Sequence, residues 1–429
     1  MPTKYLLRCG RLIDPSTSTD AVLDILIVDG SIESMKPSVS PPRDCEVVGL
    51  NGMVIAPGFM DMHVHLREPG FEHKETIASG TLSAAHGGFT AVCCMPNTNP
   101  AIDDESIVRF IHSQGKIVNN GIVDVYPVAA VTKGREGKEL SSIAELVRAG
   151  AVGLSDDGAP VYDAEIMRRA LEYAGMYDVP IIQHCEDPSL VRGGVMNEGL
   201  VATELGLPGM PPVGEEVMID RDILLTEYTR SRYHVAHMST AGSVRLVREA
   251  KRRAVKITCE VTPHHFTLTD DVVRSFDTNT KMNPPLRTPD DVEAVKEGLR
   301  DGTIDVIATD HAPHSLDEKE VDYLQAPFGI VGLETAIGLT ISELVAQKFL
   351  TLHQLVEKCS VNPRRIVGRT VDVREGNRAN LTFFDPNMQW TVDVNRFKSK
   401  SKNSPFHGRK LKGKAVGIFN NGHIFLPER

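Results

Sequence analysis

The middle of the chain alternates short apolar runs with longer segments in which apolar residues recur every three or four positions. The short runs predict β-strands, and the longer segments predict amphipathic helices. Asp163 predicts the start of one helix and Thr288-Pro289 the start of another. The eight predicted strands end near His65, Pro96, Val131, Asp157, His184, His237, Thr262 and Asp310. Eight such repeats predict an α/β fold of the (β/α)8, TIM-type barrel class.

Both ends of the chain have a different pattern, in which short β-like segments are separated by turn residues. These segments are 5–8 and 21–28 near the start and 380–384, 389–392 and 414–419 near the end. Asn421-Gly422 predicts a tight hairpin turn. We therefore expect a small β-sandwich domain built from residues 1–56 and 369–429, with the barrel in residues 57–368.

Length and composition narrow the class of protein. A chain of 429 residues, 41% of them apolar, can bury one large core and a minor domain. It contains neither an apolar run of about 20 residues nor a secretory signal pattern, which predicts a cytoplasmic protein without a membrane span. The seven cysteines form no C-x-x-C pair, which fits reduced thiols.

The distribution of charge bears on the binding partners. The net charge of −10 argues against general nucleic-acid binding. One basic cluster lies among small and polar residues at 398–414. We interpret it as a solvated loop rather than as a binding surface.

The segment Asp61-Met62-His63-Val64-His65 ends the first predicted strand of the barrel. Residues two apart on a strand point to the same side, so His63 and His65 can direct both imidazoles at one metal ion. Further acids and histidines follow later apolar runs, namely Asp156, Asp157, His184, His237 and Asp310. Strand ends meet on one face of a parallel barrel, so these side chains can converge there. Four histidines together with Asp310 and one of the adjacent acids Asp156 and Asp157 suit zinc, although each residue alone is also typical of a core or loop position.

Five segments of the chain form a combined signature. They are DMHVHLREPG at 61–70, MPNTNP at 95–100, NPPLR at 283–287, ATDHAPH at 308–314 and PFGIVGLET at 327–335. With them, the chain resembles the dihydroorotases, within the amidohydrolase superfamily of metal-dependent barrels. The resemblance extends from about residue 55 to residue 335.

The resemblance implies two metal ions per subunit at the mouth of the barrel, with zinc the expected metal. The implied ligands are His63, His65 and Asp310 for one metal and His184 and His237 for the other. Many members of the superfamily bridge the two metals with a carboxylated lysine, but no lysine lies between Lys138 and Lys251. Matching the spacing of a bacterial class without that lysine selects Asp157 as the bridge, with Asp156 as the alternative.

The resemblance also implies an activity, the reversible cyclisation of N-carbamoyl-L-aspartate to (S)-dihydroorotate in pyrimidine (UMP) biosynthesis. In the hydrolytic direction a metal-bridged hydroxide would attack the ring amide, with Asp310 as general acid and base. A guanidinium is suited to a two-point grip on the substrate carboxylate, which favours Arg67. The expected substrate-binding residues are His65, Arg67, Asn97, Asn283, His314, Phe328 and Gly329.

Two other functions stay open. A hydantoinase, dihydropyrimidinase or allantoinase would share the barrel and the metals but not the grip by Arg67 and Asn97. A catalytically inactive scaffold for aspartate transcarbamoylase would be free to lose metal ligands, and all six are present. For the active enzyme we expect a homodimer, and association with aspartate transcarbamoylase is compatible with it.

Two further segments have more than one interpretation. His264 and His265 look like a metal pair, but neighbours on a strand face opposite ways, so we interpret them as structural or as a feature of the barrel rim. Residues 315–326 are charged and lack apolar periodicity. This pattern is typical of a mobile loop over the site and equally of a plain surface loop.

Overall fold

The computed structural model describes residues 3–427. The strands are β1 (Lys4–Asp14), β2 (Thr19–Val28), β3 (Ser31–Lys36), β4 (Cys45–Gly49), β5 (Val54–Pro57), β6 (Phe59–Val64), β7 (Phe89–Cys94), β8 (Asp124–Ala129), β9 (Gly153–Leu154), β10 (Ile181–Gln183), β11 (Met196–Asn197), β12 (Gly209–Met210), β13 (Tyr233–Val235), β14 (Ile257–Val261), β15 (Val306–Ile307), β16 (Leu381–Thr391), β17 (Lys410–Asn420) and β18 (His423–Phe425). The α-helices are α1 (Ile77–Gly87), α2 (Glu105–Ile117), α3 (Ile143–Ala149), α4 (Ala164–Gly175), α5 (Leu200–Leu205), α6 (Val213–Thr229), α7 (Ala241–Arg252), α8 (Pro289–Arg300), α9 (Leu316–Lys319), α10 (Ala336–Thr340), α11 (Leu352–Val356) and α12 (Asn362–Ile366).

Eight parallel strands form the barrel in the order β6-β7-β8-β9-β10-β13-β14-β15. The sheet closes between its first and last strands, where the N–H of His65 donates to the carbonyl of His311 at 2.8 Å. Helices α1, α2, α3, α4, α6, α7, α8 and α10 follow the successive strands. The predicted (β/α)8 class is therefore confirmed.

The barrel helices begin where the sequence places their caps. The Asp163 carboxylate accepts the N–H groups of Glu165 and Ile166 at 2.8 and 2.9 Å, which starts α4. Thr288 and Asp291 form a capping box at the start of α8, with Pro289 in its first turn. These caps satisfy backbone donors that have no partner inside the helix, so the ends of both helices are fixed.

Apolar side chains fill the interior of the barrel. Met60, Met62, Cys93, Ile182 and Val306 belong to one buried cluster contributed by several of the strands. A filled interior leaves room for a cavity only at the ends of the strands. The loops that follow the carboxyl ends of the strands therefore surround the available space.

Strands from both ends of the chain form one further sheet, in the order β18-β17-β16-β5-β1-β2-β3, with β4 also paired to β1. Strand β1 shifts register around Cys9, so its first half pairs with β4 and its second half with β5. The folded sheet encloses its own core, which includes Leu7, Ile25, Phe383 and Phe419. The composite terminal unit is confirmed, while its exact boundaries, 1–56 and 369–429, stay a prediction.

The predicted hairpin turn joins β17 to β18. Asn421 and Gly422 have φ angles of 51° and 82°, the left-handed conformation that a type I′ turn requires at both central positions.

Between β16 and β17 the chain leaves the terminal sheet and runs along the barrel. We call residues 398–404 the strap. Its lysines, Lys398, Lys400 and Lys402, are exposed, whereas the alternating Ser399, Ser401, and Asn403 are buried. The strap is therefore anchored to the barrel rather than free. The prediction of one solvated loop for the whole basic cluster is wrong, because Lys410, Lys412 and Lys414 lie in β17.

Candidate active site

Six acidic and histidine side chains meet at the carboxyl ends of five barrel strands, and all six are buried. The side chains are His63, His65, Asp157, His184, His237 and Asp310. Ligand atoms of His63, His65 and Asp157 lie within 4.8 Å of one another, and so do those of Asp157, His184 and His237. Five of these residues therefore form two adjoining groups able to hold metal, with Asp157 common to both, and Asp310 lies beside the first group.

A local irregularity in β6 directs the two strand-end histidines into this cluster. Met60 and Met62 pack in the barrel interior, whereas Val64 packs in the outer core beneath the helices. The pairing of β6 with β7 shifts between Asp61 and Val64, and the Asp61 carboxylate accepts the N–H of His63 at 3.1 Å. Such a bulge changes which side chains face inward.

Asp157 is common to both groups. Its Oδ1 lies 3.3 Å from His63 Nε2 and 3.5 Å from His237 Nε2, and its Oδ2 lies 3.5 Å from His65 Nε2. Asp157 Oδ1 and His63 Nε2 are buried, and neither has a hydrogen-bond partner within residues 3–427. Buried polar atoms without partners are rare, and a cation between them would satisfy both. The donor set therefore fits a metal.

Asp156 points away from the histidines. Its Oδ1 accepts the N–H of Thr132 at 3.0 Å, and its Oδ2 accepts the Thr132 hydroxyl. The main chain after β9 is held by Arg135, which donates to the carbonyl of Asp157 at 2.8 Å. Of the two adjacent acids, the one that faces the cluster is Asp157.

Asp310 lies beside the first group of histidines. Its Oδ1 is 2.9 Å from His65 Nε2 and 3.6 Å from His63 Nε2. Burial alone would raise the pKa of Asp310, but its hydrogen bond to His65 and the nearby His63 outweigh burial and hold that pKa far below its usual range. The Asp310 carboxylate is therefore ionised.

Three non-glycine residues at the mouth of the barrel have left-handed backbone conformations. The φ angles are 61° at Arg67, 28° at His237 and 48° at Asp310. Such conformations cost about 1 to 3 kcal/mol each and tend to occur at functional sites.

Hydrogen bonds on the far side of the histidine rings fix which nitrogen faces the cluster. His65 Nδ1 donates to Asn97 Oδ1 at 2.7 Å, which leaves Nε2 directed at Asp310. His184 uses the opposite nitrogens, because its Nε2 lies 3.4 Å from Glu186 Oε2 while its Nδ1 faces His237. A hydrogen bond of this kind selects the tautomer and orients the ring of a metal-binding histidine.

Glu260, at the end of β14, holds the ring of His63. Its Oε1 accepts from His63 Nδ1 at 2.5 Å, and its Oε2 lies 3.3 Å from His234 Nε2. Burial would raise the pKa of Glu260, but the two histidines outweigh it and lower that pKa to about 2. Sequence reasoning missed this residue, and the available signal was a single acid within the apolar run ITCEV at 257–261.

A cavity of about 310 Å³ opens directly above the cluster. The expected substrate-binding residues beyond His65 all line it, namely Arg67, Asn97, Asn283, His314, Phe328 and Gly329. Asp157, His184, His237 and Asp310 form its floor. A molecule bound in this cavity would touch the metal-binding groups and these side chains together.

The cavity wall carries a positive charge that has no salt bridge within the described residues. Arg67 donates to the carbonyl of Pro313 at 3.2 Å, and no carboxylate oxygen lies within 4 Å of its guanidinium in residues 3–427. Burial lowers the pKa of Arg67 to about 10, so the group stays charged. His314 lies 3.4 Å away and donates to the Phe328 carbonyl at 2.9 Å. Burial, followed by the nearby Arg67, lowers the pKa of His314 to about 2, so this ring is neutral.

Comparison with known proteins assigns the family. Residues 52–243 match the family model described as "Dihydro-orotase-like". Dihydroorotase of Pelotomaculum thermopropionicum is 52% identical over 427 residues, which cover 99% of each chain. Dihydroorotase of Geobacter metallireducens is 51% identical over 422 residues, which cover 98% of each. The chain belongs to the dihydroorotase family. The family resemblance inferred from the sequence is thereby confirmed.

Solved structures of other cyclic amidases have the same fold as this dihydroorotase family member. L-Hydantoinase (dihydropyrimidinase) from Arthrobacter aurescens superimposes with a TM-score of 0.87 at 24% identity, over 99% of this chain and 96% of the other. Dihydropyrimidinase from Brevibacillus agri gives a TM-score of 0.84 at 21% identity, over 99% and 95%. Likeness at this level of identity extends to the fold alone.

Two other expectations concern the surroundings of the site. His264 and His265 lie in a turn after β14, so the argument that they face opposite ways along a strand is wrong. His265 is nevertheless structural, because its ring bonds to Thr262 Oγ1 at 2.7 Å and to the Pro284 carbonyl at 3.0 Å. None of the described helices combines the length and the apolarity of a membrane span.

The loop at 315–326 is anchored in the structure by two lysines. Lys319 donates to the carbonyls of Thr278 and Pro327 at 3.0 and 2.7 Å. Lys281 donates to the carbonyls of Tyr323 and Leu324 at 2.9 and 3.0 Å. The short helix α9 also lies within this segment. Closure of the loop over a substrate stays a prediction.

Proposed function

We propose that this protein catalyses the reversible cyclisation of N-carbamoyl-L-aspartate to (S)-dihydroorotate and water, a step of de novo pyrimidine biosynthesis. The observation that carries the proposal is one cavity that joins a two-group cluster of histidines and aspartates to the charged Arg67. The first feature suits an amide bond, and the second suits a substrate that bears a carboxylate. Membership of the dihydroorotase family supports the same reaction.

The metal that best suits the site is zinc, with two ions per subunit. His63, His65 and Asp310 would hold one ion, His184 and His237 the other, and Asp157 both. Imidazole nitrogens and carboxylate oxygens in this proportion are typical zinc donors. When bound, two divalent ions supply Lewis acidity, which polarises the ring carbonyl and lowers the pKa of a nearby water.

Asp310 would move the proton. Its ionised carboxylate lies between the histidine cluster and the open cavity, where it can take a proton from the attacking water. In ring opening it would pass that proton to the departing ring nitrogen, and in cyclisation it would do the reverse. The Asp310→Asn variant keeps the shape of the side chain but cannot accept the proton. We expect its turnover to fall at least roughly 100-fold. Full activity with both metals bound would exclude this role.

The other side chains of the cavity would recognise the substrate. The Arg67 guanidinium can grip the substrate carboxylate at two points, while Asn97 and Asn283 add hydrogen bonds from two sides. Gly329 has no side chain, so the substrate can lie close to its backbone. It would not donate a hydrogen bond to the substrate, because its own N–H already donates to the Lys281 carbonyl at 2.9 Å. Neutral His314 would contact the substrate ring or its carboxylate.

A direct assay separates the proposal from its rivals. We expect the purified protein to open dihydroorotate and to leave hydantoin and dihydrouracil nearly untouched. Arg67→Met should raise KM for dihydroorotate roughly 100-fold, and Arg67→Lys should restore part of the loss, since a charge remains without the planar fork. Unchanged turnover of dihydroorotate by Arg67→Met would favour a general cyclic amidase. Absence of bound metal together with absence of turnover would favour a scaffold.

The direction of the reaction should depend on pH. Cyclisation consumes a proton, so lower pH should favour dihydroorotate and higher pH the open form.

Partners and location complete the proposal. We propose a homodimer, the commonest arrangement of soluble enzymes, and association with aspartate transcarbamoylase as a second contact. The seven cysteines are free thiols, which supports a reducing compartment such as the cytoplasm. Light scattering of the purified protein, alone and mixed with the transcarbamoylase, tests both contacts.

A further inference from the structure

The strap, residues 398–404, is held against the barrel by its buried side chains. Lys400 donates its N–H to Glu75 Oε1 at 3.0 Å, and the Ser399 hydroxyl donates to the same carboxylate. The Ser401 hydroxyl donates to the carbonyl of Lys74 at 2.7 Å. These contacts fix the first half of the strap to the loop that follows β6.

Asn403, in the second half of the strap, makes a different set of contacts. Its Oδ1 accepts the N–H of His314 at 3.1 Å. Its Nδ2 donates to the carbonyls of Ala312 and Gly329, both at 3.1 Å. Its own carbonyl accepts the N–H of Val331 at 2.9 Å. One buried amide therefore joins two segments that are separate in sequence.

These two segments form one side of the cavity. Ala312 and His314 come from the first, and Pro327, Phe328 and Gly329 from the second. We call residues 312–314 and 327–329 the substrate wall. On the cavity side, the wall is joined by the bond from His314 to the Phe328 carbonyl, and on the opposite side Asn403 holds both halves. Asn403 itself does not line the cavity.

We propose that Asn403 is a positioning residue that sets the spacing of the substrate wall and, through it, the affinity for the ring and carboxylate of the substrate. This inference rests on the proposed function. Recognition groups need placement within about 0.5 Å, and a side chain whose hydrogen-bonding groups are all used supplies such rigidity. The metal-binding cluster has its own supports in Glu260, Asn97 and Glu186. Loss of Asn403 should therefore affect substrate binding more than metal binding.

The test compares Asn403→Ala with Ser401→Ala, a matched control that removes a hydrogen bond of the same strap without touching the substrate wall. For Asn403→Ala we expect KM for dihydroorotate to rise roughly tenfold or more, with kcat within about threefold and metal content unchanged. For Ser401→Ala we expect KM to stay within about twofold of the parent, even if its thermal midpoint falls by as much as that of Asn403→Ala. An unchanged KM in Asn403→Ala, or an equal rise in both variants, would overturn the proposal.

A second measurement does not depend on turnover. Amide hydrogen exchange of the parent and of Asn403→Ala should be compared across residues 312–314 and 327–331. We expect faster exchange in both segments of the variant and unchanged exchange around Lys74, whereas unchanged exchange in both segments would contradict the inference. If Asn403→Ala does not accumulate as folded protein, Asn403→Ser, which keeps one donor, should give a smaller change in the same direction. If the parent does not open dihydroorotate, the proposed function fails, and hydrogen exchange alone decides the role of Asn403.

Discussion

Glu260 offers the sharpest test of how the first metal position is built. In Glu260→Gln the side chain keeps its shape and an oxygen for His63 Nδ1 but loses its charge. The bond, 2.5 Å long in the structure, changes from charge-assisted to neutral. Charge-assisted bonds contribute about 1.5 to 3 kcal/mol and neutral ones about 1, so the loss is about 0.5 to 2 kcal/mol. We expect metal affinity to fall roughly 2- to 30-fold, because the imidazole becomes less basic and less firmly oriented.

Competition with a zinc chelator measures this affinity without any need for activity. Glu75→Gln is the matched control, because Glu75 is also fully buried and its Oε2 lies 3.3 Å from Nε2 of His311, whose other ring nitrogen accepts the N–H of Gly332. Both variants should lose thermal stability, but only Glu260→Gln should release the more weakly held zinc at lower chelator concentrations. Equal affinities in Glu260→Gln and the parent protein would refute the idea that Glu260 supports His63 as a ligand.

Three further outcomes follow from the structure. Asp157→Asn should lower the affinity for both metals at least roughly tenfold. Asp156→Asn, which alters only the hydrogen bonds from Thr132, should bind both metals as the parent does. Metal analysis after dialysis measures both outcomes. Lys319 is buried, and its pKa is lowered by burial to about 7 from an ordinary 10.5, so the unfolded chain binds more protons between these values and stability should rise with pH across that window. The gain, up to about 4 kcal/mol, should be absent from Lys319→Met, and thermal midpoints that rise equally in the two proteins between pH 7 and 10 would contradict it. Removal of metal by a chelator should lower the thermal midpoint, since a ligand at roughly 100 times its Kd stabilises by about 2.7 kcal/mol, and an unchanged midpoint would argue against a tightly held ion.

The barrel was predictable because each strand leaves a local signal. An apolar run that ends in a histidine or an acid marks both a strand and its exposed end, so the positions of His184 and His237 followed from pattern alone. The helix caps at Asp163 and Thr288 are equally local. The choice between Asp156 and Asp157 was not local. It depended on the family spacing, because a change of one residue reverses the direction of a side chain at a strand end.

The supports of the site were not predictable, because their partners lie far away in sequence. Glu260 is 197 residues from His63, and nothing near either residue indicates the contact. The lysines dominate the composition of the strap and predict a solvated segment. Its anchoring to the barrel follows instead from the alternation of Lys402 with Ser401 and Asn403. In an extended segment alternate residues face opposite sides, so a charged exterior and an anchored interior occur together.

The identity of the shared carboxylate has a consequence for how the enzyme matures. A carboxylated lysine exists only after its amine has reacted with dissolved carbon dioxide, whereas Asp157, which we propose as the shared ligand, needs no chemical modification. Refolding in buffer purged of bicarbonate should therefore need nothing beyond the metal, and the fraction of competent molecules should not vary with the gas phase.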